Sequence, residues 1–82
     1  MKVTIESTDK IVNLRFPGDT DGMQCRVWEG ETECGVKIHC FIPWVWVAEG
    51  QHADVYRQFE KELAEKRPAS REVEAIPFRM LI

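Results

Sequence analysis

The residues of this 82-residue chain best suited to chemistry are three thiols, Cys25, Cys34 and Cys40, and two imidazoles, His39 and His52. Four of them run as Cys25-x8-Cys34-x4-His39-Cys40. A zinc knuckle needs two thiolates about two to four residues apart, so that one turn presents both. That spacing is missing here, and His39 and Cys40, as neighbours on a strand, point to opposite faces. A nucleophile and base drawn from Cys25 with His39, or from Cys40 with His52, would have no local signature and no third group to orient the imidazole. Each thiol reads instead as a small buried apolar residue, and an odd count argues for reduced thiols over a disulfide framework. Asp19-Thr20-Asp21-Gly22 opens like a calcium loop, but the twelfth position is Gly30, where that loop needs a bidentate Glu. No glycine-rich phosphate loop precedes a helix. The pattern predicts a protein that is not an enzyme and that carries neither cofactor nor metal.

Eleven Lys and Arg stand against 14 Asp and Glu, for a formal charge of -3. The first 50 residues hold 5 basic and 8 acidic side chains, the remainder 6 of each. The acidic excess lies in Asp19, Asp21, Glu29, Glu31 and Glu33, which would steer a basic partner if clustered. An acidic chain is poorly suited to phosphate-driven nucleic-acid binding, which depends on clustered cations. The content of 44% hydrophobic and 30% charged residues is that of one globular domain, here spanning residues 1–82. No apolar run is long enough to span a membrane and no signal-peptide core opens the chain, so a soluble, cytoplasmic protein is expected.

The elements that position these residues follow from periodicity. Val3 and Ile5, then Val12, Leu14 and Phe16, alternate with polar residues around the turn-like Ser7-Thr8-Asp9, which predicts a first hairpin. Residues 17–22 form a loop. A strand from Met23 to Glu29 places Met23, Cys25 and Val27 on one face and Gln24, Arg26 and Trp28 on the other. After a turn over Gly30–Gly35, a strand from Val36 to Val47 loses its alternation from Cys40 onward and meets Pro43, which predicts a bend. Val55, Tyr56, Phe59 and Leu63 then predict one amphipathic helix over about 53–66, with Asp54 as N-cap, a Glu62–Lys66 pair and a stop at Pro68. Its apolar stripe is expected to cover the sheet. Ser70 caps a short turn through Glu74, and Phe78–Ile82 reads as a last strand paired into the sheet or held across a dimer. The fold class is α+β: four N-terminal antiparallel strands plus a C-terminal strand, packed against one helix.

Apolar residues exceed what such a small core can absorb, and the excess gathers at Phe41–Val47 and Trp28. Trp28, Trp44, Trp46 and Phe41 are therefore the candidate contact residues for a protein partner or a second copy, with Glu29 and Glu31 supplying charge. The competing reading is a nucleic-acid module in which Arg15, Arg26, Lys37 and Arg79 form a basic strip interleaved with aromatics.

Several strings also resemble a known group. Residues 5–12, Ile-Glu-Ser-Thr-Asp-Lys-Ile-Val, are one, and Arg26-Val27-Trp28-Glu29-Gly30-x-Thr32 with Gly35 is another. Phe59-Glu60-x-Glu62-Leu63, Arg67-x-x-Ser70 and Ile76-Pro77-x-Arg79-Met80 extend the likeness over most of the chain. It is similar to uncharacterised small proteins encoded by phages and prophages of Gram-negative bacteria. The resemblance implies a phage origin, action in the host cytoplasm and no particular activity. Trp44-Val45-Trp46 departs from the group, where a more polar segment is expected.

Overall fold

The computed structural model describes residues 1–18 and 20–81, with the backbone alone for Arg79–Leu81. Asp19, read above into the acidic loop, and Ile82, read into the last strand, lie outside the described residues. The chain forms a small α+β fold: β1 (Val3–Arg15), β2 (Met23–Thr32), β3 (Lys37–Ile42), α1 (Ala53–Ala64), α2 (Arg71–Glu74) and β4 (Arg79–Leu81). The sheet order is β3-β2-β1-β4. The first three strands pair antiparallel, and β4 pairs parallel to β1 through Asn13–Arg15.

Among the described residues three N-terminal strands are present rather than the expected four, because Ser7-Thr8-Asp9 does not reverse the chain. Ser7 lies opposite Trp28 and Ile11 opposite Arg26, so Thr8, Asp9 and Lys10 together face only Val27. This is a bulge with two extra residues, held by bonds from its side chains and displaced backbone. The Thr8 hydroxyl, fully buried, donates to the Val27 carbonyl at 2.6 Å and accepts from the Lys10 N–H at 3.3 Å. The Asp9 N–H donates to the Arg67 carbonyl at 3.0 Å, and the Arg67 N–H to the Ser7 carbonyl at 3.2 Å. Turn-forming side chains suit a bulge for the same reason that they suit a turn: they bond to displaced backbone.

β2 runs past the expected end at Glu29 because Gly30 is a strand residue, paired with Ile5 on one side and Ile38 on the other. The reversal comes later, where the Thr32 N–H donates to the Val36 carbonyl and Gly35 takes a φ of +84°. β3 stops at Ile42, so the strand expected to continue to Val47 ends where Pro43 can no longer donate to a ladder.

The core lies on one face of the sheet. Val12, Cys25 and Val27 are buried there against Val73 of α2, with Leu14, Phe41, Ala69 and Ile76 around them. The short turn capped by Ser70, whose hydroxyl accepts from the Val73 N–H at 3.3 Å, is thus the helix that packs on the sheet. α1 contributes no buried residue. Its N-cap is His52, whose Nδ1 accepts from the Asp54 N–H at 3.4 Å, and its end at Ala64 leaves Lys66 beyond the helix. Among the described residues no helix is long and apolar enough to cross a membrane.

Candidate functional site

Strand register assigns each side chain to a face. Opposite the core, the second face carries Val3, Ile5 and Ile11 from β1, Trp28 from β2, and Ile38 and Ile42 from β3. Cys40 lies beside Trp28 on the same face. Arg26 is the one charged side chain that β2 places there, and its guanidinium donates to the Leu63 carbonyl at 3.2 Å. That carbonyl belongs to the last turn of α1, where backbone acceptors have no helical partner and a cation is favoured. Arg26 therefore ties the end of α1 to the margin of the sheet and brings the Leu63 side chain over it. Phe59 and Tyr56 continue the stripe along the helix.

Between the sheet and the segment after β3 lies an open groove of about 390 Å³, walled by Ile11, Trp28, Ile42, Trp44, Val45 and Leu63. Trp28 is half-buried, Trp44 is 59% exposed, and Trp46 projects with 80% of its surface in solvent. Two of the three tryptophans singled out in the sequence thus meet in one groove, with the third beside it in sequence. Ile11, Ile42 and Leu63 were not singled out. Their signal lay in the register after the bulge, which fixes that Ile11 shares a face with Trp28.

The remaining candidates lie on the other face. Phe41 pairs with Val27 and packs against the core. Glu29 and Glu31 line a second groove, of about 630 Å³, between the sheet and the start of α2. Glu29 has 12% of its side chain exposed and is held on both oxygens. Oε1 accepts from the Ser70 hydroxyl at 2.5 Å, while Oε2 accepts from the Ser70 N–H at 3.2 Å and from Arg67 Nη1 at 2.9 Å. Burial pushes its carboxyl up, but the Ser70 hydroxyl and amide and the Arg67 guanidinium outweigh this and hold it below its ordinary value. Arg67 Nε also donates to Glu6 at 3.2 Å. Glu31 pairs with Lys37 at 3.0 Å. Glu29 and Glu6 therefore serve the chain's own fold, joining the segment before α2 to the sheet, while Glu31 pairs across to the neighbouring strand β3.

The basic strip is divided in the same way. By register Arg15 and Arg26 share the apolar face and Lys37 is on the other, Arg26 and Lys37 each bonded within the chain, and the Arg79 side chain is outside the description. His39 and Cys40 fall on opposite faces, and no three His, Cys, Asp or Glu side chains among the described residues converge as metal ligands would. No family model, no curated protein and no solved structure matches the chain. The site is therefore read from its geometry.

Proposed function

We propose that this chain is a non-enzymatic binding protein, of phage or prophage origin, whose working surface is the apolar face of its sheet together with the aromatic segment after β3. The observation that carries this reading is the grouping of Trp28 and Trp44 with Ile11, Ile42 and Leu63 around one open groove, beside an exposed Trp46. Large aromatic side chains around a concavity are what protein interfaces concentrate at their centres. A net charge of -3 and a divided set of cations favour a protein partner over a phosphate backbone. The resemblance of residues 5–12 and 26–35 to phage-encoded proteins supports the assignment of origin.

A photoreactive aromatic residue at position 46 tests the reading inside cells. It should yield an adduct with one defined polypeptide, weakened by Trp44→Ala, whereas the same probe at Glu33, in the turn after β2, should yield none. A folded protein that gives no adduct from position 46 overturns the proposal. So does a salt-dependent complex with single- or double-stranded DNA in fluorescence anisotropy.

A further inference from the structure

The molecule as a whole exposes more surface than a compact chain of its size. The molecule exposes 6484 Å², whereas a folded monomer of its 9.6 kDa exposes about 5,100 Å², an excess of about 1,400 Å². Its radius of gyration is 14.6 Å against about 11.7 Å for a compact domain of 82 residues. Each partner in a standard protein interface gives up about 800 Å², and each chain of an obligate homodimer about 1,000 Å² or more. The excess is therefore of the size that one obligate interface removes.

We infer that the occupant of the apolar face is a second copy of this chain, in a two-fold dimer where Trp46 of one protomer enters the groove of its partner. This rests on the binding reading above and names its partner. Three observations favour a second copy over a different protein. Among the described residues only Val12, Cys25, Val27 and Val73 are buried hydrophobics. Domains this small usually need a staple or an oligomer to complete their core, and a second copy is present whenever the chain is made. Among the described residues the strands place only two charged side chains on this face, Arg15 and Arg26, the latter already satisfied by the Leu63 carbonyl, and no carboxylate, as suits the more apolar interfaces of obligate homodimers. Finally, the surface has both halves of a self-complementary contact. An open groove of about 390 Å³ is walled by Val45, the residue next to an indole that its own chain leaves 80% exposed, and a two-fold axis between groove and indole lets each protomer give one and receive the other. Cys40, beside Trp28 on this face, would be covered by the partner, while Cys34 in the β2–β3 turn would stay open.

Sedimentation equilibrium of the untagged chain, from low micromolar to near-millimolar concentration, tests this. The expected mass is twice 9.6 kDa. Trp46→Ala should raise the dimer dissociation constant by a factor on the order of 30 or more, the loss of a central tryptophan contact, with an unchanged far-ultraviolet spectrum. Ile11→Glu, which places a charge on the face, is the second variant should the first not fold. Alkylation of Cys40, referenced to Cys34, should slow as the wild type is concentrated and should not slow in either variant. A chain that stays monomeric with Cys40 reactive at every concentration and tryptophan emission at long wavelength overturns self-association but leaves the face open for another protein. A monomer with Cys40 protected and emission at short wavelength overturns both readings, because the chain's own loop then covers the face. A trimer or larger assembly overturns the two-fold arrangement.

Discussion

Glu29 shows how a residue chosen for its charge can belong to the fold. Its two oxygens accept from Ser70 twice and from Arg67 once, and Ser70 in turn caps α2, so one carboxylate connects β2, the segment before α2 and the only helix that reaches the core among the described residues. Glu29→Gln removes the ionised acceptor while keeping the shape, and should destabilise by about 1.5–3 kcal/mol in urea unfolding, the range for a hydrogen bond to a charged group. The pH dependence has a definite sign. Because the folded state holds the carboxyl below its ordinary 4.5, its stabilisation is fully present above that value and is lost as pH falls through the lower folded-state value. The midpoint should fall in that acid range for wild type and fall less for Glu29→Gln. The thiols separate in the same residue-by-residue way. Cys34 is exposed, whereas Cys25 is 1% exposed and burial pushes its thiol up, away from the reactive thiolate. Alkylation followed by mass spectrometry should mark Cys34 first and Cys25 only as fast as the protein unfolds. Early modification of Cys25 under native conditions would contradict its place in the core.

At the scale of elements, strands were legible where alternation was clean and illegible where one composition serves two geometries. Met23–Val27 and its two faces follow directly from period two, and Trp28 and Trp44 stood out as apolar surplus from the same pattern. Ser7-Thr8-Asp9 has the composition of a turn, yet here it forms a bulge, and only the long-range bonds to Val27 and Arg67 decide between them. Phe41 belongs to the apolar run that marks contact candidates, and period two alone does not say which face of β3 meets the core; pairing with Val27 turns Phe41 toward it. The helices were exchanged for a related reason. The longer α1 has the visible stripe, but the four-residue α2 supplies Val73 to the core, and a single valine has no periodicity to read. Gly30 repeats the pattern, since a glycine near Gly35 suggests a turn while its position in β2 serves close approach. A Cβ at Gly30 would collide with the Thr4 carbonyl oxygen of the neighbouring strand, whereas one at Gly35 would meet open space and only the strain of positive φ. Gly30→Ala should therefore cost about 2 kcal/mol or more by overpacking, and Gly35→Ala about 1 kcal/mol, compared by chemical denaturation. Equal costs would mean that β1 and β2 do not approach as closely as their register requires. The free edge of β3 bears on assembly as well. It is six residues long, begins at Lys37 and stops before Pro43, features that discourage edge-to-edge strand addition and leave the sheet face as the route of association.

For the whole molecule, the number of buried residues and the exposed area describe the same imbalance from two sides. A chain with four buried hydrophobics among its described residues and about 1,400 Å² more surface than its mass warrants has little margin for stability as an isolated unit. If a second copy covers the apolar face, folding and association are one equilibrium, and the stability of the chain depends on its concentration. Unfolding enthalpy scales at about 0.7 kcal/mol per residue, so a two-state dimer of this length should gain about 4 °C in melting temperature for each tenfold rise in concentration. An independent monomer would show no such shift, because its unfolding is unimolecular. Trp46→Ala should remove the dependence and lower the midpoint at high concentration toward the dilute wild-type value, since the indole makes little contact within its own chain. Moderate salt should change the slope little, because the face joins apolar surfaces and, among the described residues, its strands place no carboxylate there for an ion pair between copies. A melting temperature that is independent of concentration, or a slope that collapses with salt, would place the stabilising contacts somewhere other than this face.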